Sequence, residues 1–397
     1  MRDRIIGYLR IHPTTLNMLW KTARFTLYVL GLFIPVKDKT LLFASFGGRK
    51  FDDSPRAIYE EIVKRTEFKD WDLVWAFTEP EKHNIPRGRK IKIDTREFFI
   101  MLLKSRVWVS NSGMDRNIGL DRKKTIKIET WHGTPMKRIG PDQNTGALGE
   151  QTVPQKEDHR TIRCAQSEYD RNIFMRVFNA SKDSFLMCDL PRNDKLLRYT
   201  DEEVHKIKDV LHIPEGKRVF LYMPTYREYQ IDAEGNYTFN IPLNIKKWEK
   251  ELGDGFVLLV RKHYAISFES DVWGGDRVID VSEYPILSDL YAVSDILISD
   301  YSSAYFDYSI LCRPMFCYAF DYEEYIEKRG VYFDLNEELP CRIDHDEEAL
   351  LNSIKCMDYE KMSQRTRLFH EKYTPHAGDA SGAVVKELLK RLNTETE

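Results

Sequence analysis

The feature that most restricts how this chain can fold is a repeated alternation of short apolar runs with amphipathic helices. In a first series the runs are LLFASF (41–46), LVWAF (73–77), VWVSN (107–111), TIKIET (125–130) and TIRCAQS (161–167), with helical stretches PRAIYEEIVKR (55–65) and EFFIMLLKS (97–105) between them. A second series has VFLYMPT (219–225), FVLLVRK (256–262), RVIDVS (277–282), ILISD (296–300) and PMFCYAF (314–320). Its helices are IKKWEKEL (245–252), PILSDLYAVS (285–294), SAYFDYSILC (303–312) and DYEEYIEKR (321–329). Strands alternating with helices predict parallel α/β sheets, and two series predict two Rossmann-like halves. The boundary is expected near 195–215, in the polar stretch that leads to Pro214 and Gly216. The tail SGAVVKELLKRL (381–392) reads as an amphipathic helix able to pack on either half. Such sheets bind ligands beyond the carboxyl ends of their strands, so the chemistry is expected in a cleft between the halves.

Composition removes several classes. Sixty Lys and Arg nearly cancel 63 Asp and Glu, a formal charge of -3, which argues against a general polyanion binder and predicts no nucleic-acid partner. The six cysteines form no C-x-x-C pair and no zinc-like spacing, as expected of reduced thiols in a cytoplasmic protein. G-x-x-x-x-G-K-[ST] and G-x-G-x-x-G are both missing, and no acidic triad sits at a strand end. The expectation is therefore an enzyme or binding protein that requires neither a metal nor a dinucleotide cofactor.

Charge is not spread evenly. Residues 1–40 carry Arg2, Arg4, Arg10, Lys21, Arg24, Lys37 and Lys39 against Asp3 and Asp38, and enclose the uncharged run FTLYVLGLFIPV (25–36). A spanning helix needs about 20 apolar residues, so this run does not cross a bilayer. Two readings stay open from the residues: a segment packed on the first half, or an interfacial anchor meeting anionic lipid.

Three strand ends carry candidate chemistry. TWHGTPMKRIG (130–140) puts His132 on a tight turn, where an imidazole suits proton transfer near neutral pH; Gly133 lets backbone approach a ligand, Thr134 follows, and Lys137 and Arg138 are expected on a helix. The alternative is a histidine that merely caps the strand end. FVLLVRKHY (256–264) gathers Arg261, Lys262 and His263 at a cleft rim, suited to phosphate or equally to a solvated basic turn. ILISDYSSAYFDYSILCRP (296–314) sets Asp300, Ser302 and Ser303 before a helix whose N-terminus would favour an anion, or where one of them is a plain cap. FASFGGRKFDDSPRAIYEEI (43–62) adds a glycine pair and an Asp53 or Ser54 cap, and LYMPTYRE (221–228) adds Thr225 and Arg227.

Together FxGxxxDDSPRAIYEEI, TWHGTPMKRIG, YMPTYRE, VRKHY, ISDYSSAYFDYSILCRP and the following FDYEEY resemble the CDP-glycerol glycerophosphotransferases of teichoic acid synthesis, in order over residues 40–330. The resemblance implies an α/β fold of GT-B type: a membrane-associating segment over 1–39, an acceptor domain over 40–200, a CDP-polyol domain over 201–380, and a helix over 381–397 packing back. It implies transfer of a polyol phosphate from CDP-glycerol to an undecaprenyl-linked glycolipid acceptor, by a peripheral enzyme at the cytoplasmic face of an anionic membrane. His132 and His263 match the family's two key histidines, and Ser302 and Ser303 its hydroxyl pair, with Asp300 and Asp307 beside them. His132 is then expected to act as base, while His263, Arg261, Ser302 and Ser303 hold the diphosphate. Thr225, Arg227 and Ser282 are further candidates for donor contact. With about 40 residues ahead of the first strand, the chain is expected to resemble a priming enzyme; ribitol transferases share the same blocks. A nucleotide-sugar glycosyltransferase of the same fold and a non-catalytic nucleotide-binding protein are the rival expectations.

Overall fold

The structure, a computed structural model, describes residues 13–116, 118–120, 122–143, 160–225, 227, 229, 243–262 and 277–394. Two sheets form. The first contains β1 (Lys37–Ala44), β2 (Asp72–Phe77), β3 (Arg89–Lys92), β4 (Ser105–Ser110), β5 (Ile126–Glu129), β6 (Thr161–Ala165) and β7 (Phe185–Met187), in the order β3-β2-β1-β4-β5-β6-β7. The second contains β8 (Arg218–Met223), β9 (Phe256–Val260), β10 (Val278–Asp280), β11 (Ile296–Ser299), β12 (Met315–Tyr318) and β13 (Ile343–Asp344), in the order β10-β9-β8-β11-β12-β13. Neighbouring strands pair in parallel within both.

Parallel sheets are covered on both faces, which is why their strands read as unbroken apolar runs. Leu41 and Phe43 point into one core with Leu73, Trp75 and Phe77, while Leu42, Ala44, Val74 and Ala76 point into the opposite one. In the second sheet Val219 and Leu221 face one core, and Phe220 and Tyr222 the other. Successive side chains on a strand point to opposite faces, so both helix layers are anchored by the same short runs.

Helix α1 (Pro13–Phe33) lies over one face of the first sheet, with α2 (Asp53–Lys64) on the other and α3 (Arg96–Lys104) beside α1. Leu27 is buried in that layer, and Arg122 donates to the Gly31 and Ile34 carbonyls, closing the carboxyl end of α1 with a cation. The stretch expected to be a polar boundary holds helix α4 (Asp201–Val210). Thr200 and Glu203 form a reciprocal capping box at its start, and Ile207 joins the second core. The final helix α5 (Ala380–Thr394) returns to the first domain, where Ala380, Val384, Val385 and Leu388 pack with the core beside α2. Its first N–H groups donate to the Asp194 carboxylate at 2.7 and 2.8 Å, so the interdomain link is pinned by the chain's last helix. No described helix is long and apolar enough to cross a membrane.

Candidate active site

Each sheet winds outward in both directions from its middle, and the reversal falls between β1 and β4 in the first and between β8 and β11 in the second. Loops leaving those strand ends diverge and leave a crevice. At the first reversal the Phe46 N–H donates to the Asn111 side-chain oxygen at 2.8 Å, and Gly47 N–H to Ser112 Oγ at 2.9 Å. His132, just beyond β5, has Nδ1 3.0 Å from the Asn111 carbonyl oxygen. A carbonyl only accepts, so in the neutral ring Nδ1 carries the hydrogen and Nε2 keeps the lone pair. The imidazole stacks on Trp131 at 4.2 Å and leans on Phe46 at 6.0 Å between centroids. Trp131 (φ 55°) and Gly133 (φ 148°) hold left-handed backbone on either side of it, a conformation an aromatic residue adopts only under constraint.

Trp131 is held by Phe174 and Phe178 of its own domain, and Gly133 by the approach of the second. A Cβ on Gly133 would stand 2.6 Å from Ser303 Oγ, so glycine is what allows the two blocks to touch. Beyond the turn, Lys137 and Arg138 are not on a helix: Lys137 bridges Val331, Arg138 N–H donates to the Gly330 carbonyl at 3.1 Å, and Tyr332 N–H donates to the Met136 carbonyl at 2.9 Å. Backbone pairing with the other domain takes the hydrogen bonds that a helix would have used internally. Thr134 is buried, and its hydroxyl donates to Gln166.

Sequence reasoning missed the residue at the centre. Arg192, on the link between the sheets, donates from one terminal nitrogen to Asp53 (2.7 Å) and to the His132 carbonyl (2.9 Å). Its other terminal nitrogen donates to Asp307 (2.5 Å). Asn193 donates to Asp307 at 2.9 Å and to Asp189 at 3.2 Å, and Asp189 also accepts from Gln166. Burial opposes ionisation of Asp53, yet Arg192 outweighs it and holds the pKa below the ordinary range. For Asp307 burial wins and the pKa rises. Burial, helped by the Asp307 charge, pushes Asp189 up to about 7. The available signal was four polar side chains, Asp189, Arg192, Asn193 and Asp194, crowded into one short connection.

At the second reversal the Asp300 carboxylate accepts from the Thr225 N–H (2.9 Å), the Tyr301 N–H (2.7 Å) and Arg227 (3.0 Å). Arg227 is itself 1% exposed, pairs with Asp321 at 2.6 Å and lies against Tyr301 and Tyr325. Its charge is thus already neutralised from two sides. Ser282 accepts from the Lys262 N–H at 3.0 Å and secures the end of β9. Ser302 accepts from the Ala304 N–H at 3.2 Å, at the start of the six-residue helix Ala304–Ser309. Arg261 donates to the Tyr284 carbonyl at 2.9 Å, and burial lowers its pKa. His263 lies outside the described residues. A cavity of about 430 Å³ runs between the domains, lined by Phe46, Asp52 and Asp53 on one side and by Arg192, Arg261 and Tyr291 on the other. Arg261 and Asp52 are close enough for their charges to interact. Among the described residues no group of three His, Cys, Asp or Glu side chains is disposed to hold a metal ion.

The family model for CDP-glycerol:poly(glycerophosphate) glycerophosphotransferases matches residues 26–390. The chain belongs to this family. A teichoic acid glycerol-phosphate transferase of Staphylococcus aureus is 33% identical over 394 residues, covering 95% of this chain and 99% of the relative. A teichoic acid poly(glycerol phosphate) polymerase of Staphylococcus epidermidis is 34% identical over 370 residues, 90% of this chain; the chain spans about half (51%) of that polymerase. Among solved structures, the wall teichoic acid polymerase TagF, in a histidine variant soaked with CDPG, superposes with a TM-score of 0.83 at 28% identity over 99% of both chains. A UDP-GlcNAc 2-epimerase from Neisseria meningitidis shares the fold alone, at 14% identity over 88% of this chain and all of that one, with a TM-score of 0.54. This glycerophosphotransferase-family enzyme thus has two parallel-sheet domains that meet at the His132 turn.

Two measurements check the geometry. Gly133→Ala should lose about 1–3 kcal/mol in urea unfolding, from the left-handed backbone and the Ser303 contact; unchanged stability would refute that contact. Asp189 has a folded pKa raised from 3.8 to about 7, so its stabilising contribution is complete below about pH 4 and is lost as pH rises through 7. Stability should therefore fall toward neutrality by up to about 1.4 kcal/mol per pH unit, and Asp189→Asn should remove that slope. Equal slopes in the two proteins would show that Asp189 is ionised throughout.

Proposed function

We propose that this enzyme transfers glycerol phosphate from CDP-glycerol to a hydroxyl of an undecaprenyl-diphosphate disaccharide, releasing CMP, as the priming step of wall teichoic acid synthesis. The observation that carries the reading is His132, with Nδ1 committed to the Asn111 carbonyl and the basic lone pair on Nε2, in a turn pressed against Ser303. Nε2 takes the acceptor hydroxyl proton as that oxygen attacks the β-phosphorus; the bond from phosphorus to the bridging oxygen breaks and CMP departs with the electron pair. Arg261, His263, Ser302 and Ser303 hold the diphosphate and stabilise its charge, with Thr225, Arg227, Ser282 and Asp300 shaping the donor side and Gly133, Thr134 and Asp307 the turn. Positioning and electrostatics suffice for such a transfer, and the reading invokes no cofactor beyond the donor.

Likeness to enzymes named glycerol-phosphate primases supports single addition. The likeness to polymerases supports a second reading, repeated addition. Incubation with CDP-glycerol, CDP-ribitol or UDP-sugars and a lipid-linked disaccharide tests both. Acceptor-dependent CMP release from CDP-glycerol with one added unit by mass is expected, a ladder would mean polymerisation, and UDP release would overturn the donor. His132→Ala should lower turnover about 10²–10⁴-fold with its melting temperature unchanged; an active variant would remove His132 as base.

We also assign α1 to a membrane surface. Six of the ten exposed large apolar side chains among the described residues lie on it: Met18, Phe25, Tyr28, Leu30, Leu32 and Phe33. Met18, Phe25, Tyr28 and Leu32 recur at helical spacing, with Lys21 and Arg24 exposed among them, the pattern of a helix lying in the headgroup layer of an anionic cytoplasmic face. Full-length protein should sediment with phosphatidylglycerol vesicles, and the Phe25→Ser, Leu32→Ser double variant should not. Equal sedimentation would exclude this face.

A further inference from the structure

We propose that Arg192 is a positioning residue that makes the placement of His132 conditional on the arrangement of the two domains. The guanidinium touches three parts at once: the His132 carbonyl, Asp53 at the start of α2, and Asp307 in the second domain. Its backbone lies where the chain leaves the first sheet, on a turn packed against α2 and α5, so a rotation of the domains displaces the Asp307 end of the guanidinium while its base stays with the first domain. The side chain is 13% exposed and the carboxylates 5% and 2%, so water supplies little competing solvation.

The chemistry calls for arginine. Two terminal nitrogens in a fixed plane can hold Asp53 and Asp307 apart while one of them also reaches a carbonyl; a lysine ammonium is a single point and cannot span them. Asp53 reinforces this. It holds φ at 63°, and its Oδ1 accepts from the Ser54 N–H at 2.7 Å, leaving Oδ2 aimed at Arg192. A second route runs in parallel: Asp307 to Asn193, then Asp189, then Gln166, then Thr134, two residues beyond the histidine. The 132–134 turn is thus tied to one second-domain carboxylate by both its backbone and a side chain. If the domains separate, the Asp307 ties break, and the guanidinium that donates to the His132 carbonyl is held by Asp53 alone and no longer fixed in its plane.

The kinetic arm rests on the transferase reading above; a second arm does not. Arg192→Lys keeps the charge but cannot make all three contacts. It should lower kcat for CMP release about 10–100-fold, since displacements near 1 Å suffice for such losses. KM for CDP-glycerol should stay within about threefold, because a residue that acts through His132 removes transition-state rather than uniform binding. Hydrogen exchange in peptides covering 131–136 and 302–308 should rise together in substrate-free Arg192→Lys, with the global melt retained. Unchanged exchange in both peptides overturns the proposal, as does a KM that rises in step with the loss of kcat/KM at constant kcat. If wild-type protein releases no CMP from CDP-glycerol, the transferase reading fails, and the exchange arm alone decides the role of Arg192.

Discussion

A parallel sheet that is covered on both faces has to reverse its winding somewhere, and the chemistry of this chain follows from its two reversals. At the first, between β1 and β4, the loop ends are joined by the Asn111 side chain, whose own main-chain oxygen then orients the imidazole from the next strand. At the second, between β8 and β11, Asp300 receives backbone N–H groups from both sides and is sealed by Arg227. The reversals are therefore unequal. One presents a titratable ring at the domain contact, and the other is filled by an ion pair beneath aromatic rings. The two ends thus differ in kind: the first domain contributes a titratable ring and the second a buried ion pair.

The contact between domains is unusually polar for something so dry. Buried ions are expensive to desolvate, and an arginine shared by two carboxylates in this setting adds little net stability compared with apolar packing. What it adds is geometric specificity, because removing any one partner strands the others without water. Asp53 and Asp307 shift in opposite directions: the Arg192 charge outweighs burial at the first, while at the second burial, joined by the Asp53 charge, prevails. The neutral tendency of Asp189 fits the same ledger of charge, since a further ionised carboxylate beside Asp307 would be repelled.

The fold was legible where local signals and tertiary packing agreed. Continuous apolar runs marked β1, β2, β4, β8, β9 and β11, because those strands are buried on both faces. Edge strands β3 and β13 escaped notice: the first reads RKIK and the second is two residues long, neither offering an apolar run. Helix α4 lies in the stretch expected to be a polar boundary although the Thr200–Glu203 box announces its start; it is mostly charged, and Ile207 is its one buried residue. Lys137 and Arg138 were expected on a helix because nothing local encodes a strand partner from 193 residues away. For the same reason the motif blocks around His132 and Ser303 could be read while Arg192 could not. Its partners are 60, 115 and 139 residues distant, and it sits in a turn without periodicity.

The uneven charge of the chain acquires a physical reason at its amino-terminal end. Helix α1 is 21 residues long and at about 1.5 Å per residue would reach across a bilayer core if it stood upright. It cannot stand upright while its other side is fixed to α3: Leu27 is buried there, Gly31 leaves room for the Arg122 guanidinium, and that cation closes the last carbonyls. One side is thus spent on the protein, and Phe25, Tyr28, Leu32 and Phe33 are exposed among the described residues. Under the membrane-surface assignment proposed above, a helix fastened lengthwise with an apolar outer side would lie in an interface rather than cross it.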